Sequence, residues 1–454
     1  MTVDSGGLLF DQPTLLAGRE GQAKASAAAI VKAYGLMGYD AVGISANDLA
    51  AGLAYLKKVS QQSRFPWLSA NLVNTTDRKP LFTPFIIRKI GQIRIGIIGI
   101  TGSAALAADT TGEATILPWQ QVLPDLAESL TSRCDLLLLL SSLPDEANRR
   151  IAESLSGIHI ILQAGSGSAN MMPEQVGNTL LTHTGRQGKY IGRLQLDWKP
   201  SKRWGKDQAR LLLDAQRKLD QVNWQLKRLQ RKGLPAADSQ DNPKLLTYYH
   251  QLSDTRDLLL AQISALQQGH EAPRSTYQVE FPAIEASIPN LEAVEAMVRE
   301  AKAEINRLGK EARLRMQTTA RATPQPADAT AASPYLGWRK CGGCHPSQAA
   351  GWRKSRHAGS YQTLVKKEQQ FNLNCLPCHV TGIDAANAPE ALTLPDDRRQ
   401  VGCESCHGPG RLHGAAPTAS RPTVSLPPAT TCLGCHTPEH DDDFDFARDQ
   451  LLVH

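Results

Sequence analysis

Along the first 200 residues, short apolar runs alternate with amphipathic stretches. Ile93–Ile100, Leu136–Leu140 and Ile158–Leu162 are β-branched or leucine-rich and bounded by Gly, Asp and Ser, which predicts strands. Ala23–Met37 and Glu146–Leu155 carry helical patterns between them. Strands alternating with helices predict an α/β domain with a largely parallel sheet over residues 1–200. From 203 to 268 the period changes. Leu212, Ala215, Leu219, Val222, Leu226 and Leu229 step by three and four, as do Leu245, Tyr249, Leu252, Leu259, Ile263 and Leu266. With the Gly233–Pro243 break between them, these segments predict an antiparallel helical hairpin, packed on itself or on the domain body, or used as a docking or oligomerisation arm. Leu291–Arg315 predicts a further amphipathic helix, and 317–333, rich in Ala, Thr and Pro, a flexible linker. The predicted division is therefore 1–200 α/β, 201–316 helical, 317–333 linker and 334–454 a mainly irregular and α-helical C-terminal domain.

That last domain has little periodicity but a strong chemical pattern. Cys-x-x-Cys-His occurs four times: Cys341/Cys344/His345, Cys375/Cys378/His379, Cys403/Cys406/His407 and Cys432/Cys435/His436. Two thiols at this spacing can add to the two vinyl groups of one porphyrin, and the next residue supplies an imidazole to its iron. Zinc ribbons also use Cys-x-x-Cys, but zinc does not require His directly after the second Cys. The pattern predicts four covalently bound c-type haems, with the eight cysteines as thioethers and His345, His379, His407 and His436 as proximal ligands. The ninth cysteine, Cys134, heads an apolar run and reads as a buried packing thiol.

Charge and composition refine this. The formal charge is +6, yet residues 334–454 hold 12 Lys/Arg against 12 Asp/Glu, so the excess lies in the first 333 residues. No basic block interleaved with aromatics suggests nucleic acid, and no stretch has the length and apolarity of a membrane span. Haem c is attached outside the bacterial cytoplasm, so a periplasmic or extracellular location is expected, although Met1–Asp4 shows no signal-peptide pattern.

Four further histidines lie in the C-terminal domain: His357, His413, His440 and His454. No methionine follows Met316, which excludes His/Met ligation from within the domain and leaves bis-histidine or open irons. Tyr335-Leu336-Gly337, Cys341-Gly342-Gly343-Cys344-His345-Pro346 and Ser355-Arg356-His357-Ala358 carry a family resemblance. It continues through Cys375–Gly382, Cys403–Gly410 with His413, and Cys432–Pro438 with Phe444-Asp445-Phe446 and His454. The segment resembles the tetrahaem cytochrome c554 family. The resemblance implies closely stacked haems with His357, His413 and His454 as distal ligands. His440, four residues after His436, cannot easily reach the opposite face of the same iron and serves another haem or none.

Residues 3–197 resemble, through Gly38–Val42, Phe65–Asn71, Ile93–Thr101 and Gly188–Leu194, the 5′-nucleotidase branch of calcineurin-like metallophosphatases. The resemblance implies a metallophosphatase-like sandwich with two metal ions held by Asp, Asn and His. At the matching positions stand Asp4-Ser5-Gly6-Gly7, Ser45-Ala46-Asn47-Asp48, Ser141-Ser142 and Ala164-Gly165-Ser166-Gly167. Ala46 replaces a metal-binding Asn, Asn47 a catalytic His and Gly7 a bridging Asp. No divalent metal is expected there, and His159 and His183, placed near the same site, do not rebuild it.

The expected function is an exported electron carrier with four mostly bis-His haems, redox partner proteins and a phosphatase-like scaffold that has lost hydrolysis. Two other readings compete: a haem enzyme acting on a small nitrogen or sulfur compound at a five-coordinate iron, and a phosphoesterase.

Overall fold

The computed structural model describes residues 1–102, 112–164, 167, 169–185, 188–205, 208–231, 243–268, 274–285, 287–322, 333–418, 420, 424–437, 440–441 and 443–453. The strands in chain order are β1 Val3–Asp4, β2 Ala41–Gly43, β3 Trp67–Leu68, β4 Leu72–Asn74, β5 Phe85–Ile90, β6 Ile93–Ile100 and β7 Ala114–Ile116. They continue as β8 Leu136–Ser141, β9 Ile160–Gln163, β10 Met171–Val176, β11 Thr179–His183, β12 Arg193–Asp197 and β13 Thr276–Glu280. Helices of the same region are α1 Glu20–Met37, α2 Leu53–Gln62, α3 Leu123–Thr131, α4 Asp145–Ser154, α5 Gln208–Gln230, α6 Pro243–Gln268 and α7 Glu292–Ala322.

Two main sheets form the front domain, with two-stranded pairs β4-β7 and β12-β13 beside them. One is parallel, in the order β1-β2-β3; the other runs β10-β11-β9-β8-β6-β5, parallel through β11-β9-β8-β6 and antiparallel at both edges. The period-two rule shows directly on β8. Leu136, Leu138 and Leu140 face the small sheet, where they meet Ala41 and Leu68. Leu137 and Leu139 face the other way, onto Leu123, Ala127 and Leu130 of α3 and Ile151 of α4. The outer face of the small sheet packs Val42 and Trp67 against Ala27 and Val31 of α1 and Leu56 and Val59 of α2. The result is an α/β/β/α sandwich. Gly99 sits where the sheets approach most closely: a Cβ there would lie 2.2 Å from the Leu68 carbonyl oxygen. Cys134 is buried in the α3/α4 layer.

The front domain extends past the predicted boundary at 200. β12 pairs with β13 in full register from Arg193↔Glu280 to Asp197↔Thr276, and Tyr277 joins Trp198 and Trp204 in the core. The helical hairpin is thus an insertion between two paired strands. Its helices, α5 and α6, pack on each other through Val222, Leu226 and Leu229 against Leu252 and Leu259, the predicted seam. Helix α7 runs to Ala322, so the first residues of the predicted linker are helical. A run of Glu, Ala, Lys and Arg with i,i+4 ion pairs such as Arg307 with Glu311 carries it on.

The C-terminal domain is built from one- and two-turn helices: α8 Trp338–Cys344, α9 Pro346–Trp352, α10 Ser360–Lys366, α11 Leu376–His379, α12 Cys403–His407, α13 Arg411–Ala415, α14 Ala429–Leu433 and α15 Phe446–Asp449. It docks on the front domain through α7, whose Ala312 and Met316 pack on Leu364, Leu373, Leu376 and Val380. Gln22 of α1 is buried at this junction. Its amide donates to the carbonyls of Ile305 and Phe371 at 2.9 and 2.8 Å, and its oxygen accepts from Leu373 N–H at 2.9 Å. No helix among the described residues is long and apolar enough to cross a membrane.

Candidate functional site

The first three Cys-x-x-Cys-His motifs lie on the short helices α8, α11 and α12; the fourth continues from α14. On a helical turn, residues three apart share a face, so each turn presents its two thiols together, followed by the imidazole. The turns are also neighbours. The thiol of Cys341 neighbours that of Cys403 closely enough for each to shift the other's pKa, and so do those of Cys378 and Cys435. The first motif therefore abuts the third, and the second abuts the fourth.

Two imidazole pairs stand out. His345 and His413 have ring centroids 6.1 Å apart with planes at 26°, and His357 and His436 are 6.0 Å apart at 67°. Two imidazoles on opposite faces of one metal, each bonded at about 2 Å, bring their ring centres to about 6 Å. Both pairs match that separation. Burial first, then the neighbouring His436, holds the His357 pKa below its ordinary value and so favours the neutral, ligating imidazole.

Hydrogen bonds at Nδ1 orient the rings. His379 Nδ1 meets the Ser360 carbonyl at 2.8 Å, His407 Nδ1 the Val424 carbonyl at 2.9 Å and His413 Nδ1 the Ser420 carbonyl at 2.6 Å. His436 differs, pairing with the Asp441 carboxylate at 2.6 Å. A partner on Nδ1 fixes the tautomer and leaves Nε2 for a metal. His440 is exposed and its Nδ1 contacts Thr437 Oγ1 at 2.9 Å. His454 lies outside the described residues.

The surroundings fit porphyrin. Leu412, Leu426 and Leu433 expose apolar side chains beside His407, His413 and the fourth motif, as a buried macrocycle edge would require. Glu404, between the cysteines of the third motif, is buried and accepts from Leu336 N–H and Gly337 N–H at 2.8 Å each and from Gly410 N–H at 2.7 Å. It ties the third motif to the approach to the first. Sequence reasoning missed Glu404 and Asp441. A carboxylate inside a Cys-x-x-Cys was the available signal for the former; Asp441 sits in an acidic run that reads as surface.

In the front domain the residues at the expected metal positions are occupied with each other. The Asp48 carboxylate accepts from the N–H groups of Gly7, Leu9 and Ser45 and from Ser45 Oγ, at 2.8 to 3.1 Å. Burial raises its pKa, against the pull of those hydrogen bonds. Asp4 accepts from Gly6 N–H and Tyr34 O–H, Asn47 donates to the Asp11 carbonyl, and Ser142 Oγ donates to the Ile44 carbonyl at 3.2 Å. Ala46 offers no donor atom; Gly165 and Ser166 lie outside the described residues. Among the described residues, no group of three or more His, Cys, Asp or Glu side chains is placed to hold a metal ion.

His183, at the end of β11, does lie beside Gly167, with Nε2 3.1 Å from the Ala169 carbonyl. His159 does not belong to this region. It precedes β9 at the opposite end of the strand, accepts from Leu137 N–H at Nδ1 and is held neutral by burial, its pKa lowered to about 4. It is a core histidine, packed edge-on against Trp198.

Comparison with known proteins gives two separate likenesses. The family model described as cytochrome c554 and c-prime matches residues 340–408. Cytochrome c-554 of Nitrosomonas europaea is 36% identical over 94 residues, 17% of this chain and 40% of that protein. A 2′,3′-cyclic-nucleotide 2′-phosphodiesterase/3′-nucleotidase of Yersinia enterocolitica is 30% identical over 99 residues, 19% of this chain and 15% of that protein. The chain thus spans less than half the length of either relative. Among solved structures, a sulfate thiohydrolase of Thermus thermophilus aligns at 21% identity and TM-score 0.37, covering 43% of this chain and 35% of that one. A 5′-nucleotidase of Staphylococcus aureus, itself described as putative in the solved structure's name, aligns at 18% and 0.36, covering 44% and 42%. Residues 340–408 thus match the cytochrome c554 family, and the N-terminal part is similar to 2′,3′-cyclic-nucleotide 2′-phosphodiesterase/3′-nucleotidases.

Proposed function

We propose that this chain is an exported electron carrier holding four c-type haems in its C-terminal domain, joined to a front domain that no longer hydrolyses phosphate esters. The observation that carries the reading is the pairing of His345 with His413 and of His357 with His436 at the separation one iron spans. The eight motif cysteines would hold the porphyrins as thioethers, and His379 and His407 would serve the other two irons. Haem, when bound, supplies a one-electron couple at each motif. The chain orients the proximal imidazoles of His379, His407 and His436 through Nδ1, and sets the motifs side by side so that electrons need not leave the domain. Redox proteins are the partners, and the helical arm is the part proposed to meet them or a second copy.

The test is mass. The denatured, matured protein should exceed its polypeptide by four haems; fewer, or bound zinc without a Soret band, defeats the reading.

A haem enzyme is the second reading, and one observation favours it. Among the described residues, the two pairs above are the imidazole pairs at iron-spanning distance, which leaves His379 and His407 with His454 as the one further candidate. One iron would then have an open face for a small nitrogen or sulfur compound. A high-spin ferric signal that shifts with cyanide or nitric oxide would favour that reading.

For the front domain the expected outcome is no turnover of nucleotides or simple phosphate esters, with or without added Mn²⁺ or Zn²⁺. The Asp48 carboxylate is already committed to four donors, and Ala46 and Gly7 bring no ligand atoms. Metal-dependent hydrolysis lost in Asn47→Ala would revive the phosphoesterase.

A further inference from the structure

The proximal imidazoles are not equivalent. His379 and His407 turn Nδ1 to backbone carbonyls, neutral acceptors at 2.8 and 2.9 Å. His436 turns Nδ1 to a carboxylate, Asp441, at 2.6 Å, and Phe444 stacks on its ring at 4.6 Å and 23°. The ring is clamped on an edge and a face. Two neighbouring carboxylates, Asp443 and Asp449, pair with Arg448 at 3.3 and 2.6 Å, whereas Asp441 is turned to the ring. A carboxylate on Nδ1 makes an imidazole a stronger donor to a metal at Nε2. A stronger donor stabilises ferric iron, the more positive state, over ferrous.

We propose that Asp441 is a positioning residue that sets the reduction potential of the haem at the fourth motif, holding it below the value a carbonyl partner would give. The inference rests on the haem reading above. The step is one electron: ferric iron accepts it from an external mediator and becomes ferrous. No bond forms or breaks in the chain. The fourth haem would then accept an electron less readily than one whose proximal imidazole bonds a backbone carbonyl, and would pass electrons toward its neighbour at the second motif. Cys378 and Cys435 mark that contact.

The test is a potentiometric titration of the whole matured protein, followed by optical and electron paramagnetic resonance spectra, on wild type, Asp441→Asn, Asp441→Glu and Asp443→Asn. In Asp441→Asn one of four couples should rise by about tenfold in its equilibrium constant, which is about 59 mV for one electron. The other three should hold. Asp441→Glu should restore most of the wild-type value, and Asp443→Asn, which removes a nearby charge without touching the ligand, should move the couple far less. Four unmoved couples, or four that move together, would overturn the inference, as would an equal effect from Asp443→Asn. Each variant is also weighed. A mass short of four haems in wild type would overturn the haem reading itself, whereas four haems with an unmoved couple would overturn only the role of Asp441.

Discussion

His413→Ala and His357→Ala should each convert one haem from low-spin to high-spin or mixed-spin ferric iron while leaving it covalently attached. The distal imidazole contributes nothing to the thioether bonds, so mass should not change. Each replacement opens one face of one iron to water. The two wild-type signals should differ, because His345 and His413 have planes at 26° whereas His357 and His436 cross at 67°. Nearly parallel imidazoles split the iron d orbitals that hold the unpaired electron and give a rhombic spectrum. Crossed planes bring those orbitals close in energy and give a strongly anisotropic one. His413→Ala should therefore remove a rhombic component, and His357→Ala a large-g component. His440→Ala should alter neither, since that side chain is exposed and bonded to Thr437. Loss of a low-spin signal in His440→Ala, or none in His413→Ala, would show the axial pairing to be wrong.

Gly309→Val should loosen the haem domain from the front domain. A Cβ at Gly309 would stand 2.1 Å from the Phe371 carbonyl oxygen and 2.7 Å from Gln22 Nε2. One partner is backbone and the other is held by three hydrogen bonds, so neither can step aside cheaply. Overpacking of this kind costs about 1–3 kcal/mol or more. Gln22→Ala should act in the same direction by another route. It leaves the Leu373 N–H and the Phe371 carbonyl without this partner, at about 1–3 kcal/mol for each buried group left unpaired, while the Ile305 carbonyl keeps its helical bond. The front domain melts separately from the haem domain once the contact fails, so calorimetry should show two transitions in either variant. Limited proteolysis should speed up around residue 371. A single unshifted transition in Gly309→Val would mean that this junction does not hold the halves together.

Much of this was legible in the chain. Leu136–Leu140 read as a buried strand because an unbroken leucine run flanked by Asp and Ser fits a strand covered on both faces, and β8 is covered on both. The hairpin seam was legible because a three–four repeat depends only on local spacing. What failed was non-local. Thr276–Glu280 is too short to announce itself, and its pairing with β12 spans about eighty residues, so the sequence pattern alone ends the front domain near 200. His159 was placed by its number along β9 rather than by the end of the strand that it occupies. The cysteines and proximal histidines were plain, because covalent attachment demands a contiguous motif. Asp441 was not, since a carboxylate on a ligand's far nitrogen can come from anywhere in the fold.

The insertion point of the helical arm has a consequence for how the chain can change over time. Arg203 and Gly205 exchange backbone hydrogen bonds with Ser275, so the two ends of the arm meet in one latch at the foot of the β12–β13 ribbon. A part that leaves and re-enters a domain at one point can be lengthened, shortened or replaced without asking the core to re-register. Helix α5 alone, at 23 residues, reaches about 35 Å from that latch. The core holds Trp204 on one side of the latch and Tyr277 on the other. Among close relatives, length and sequence should vary most there, while the strands at its foot stay put.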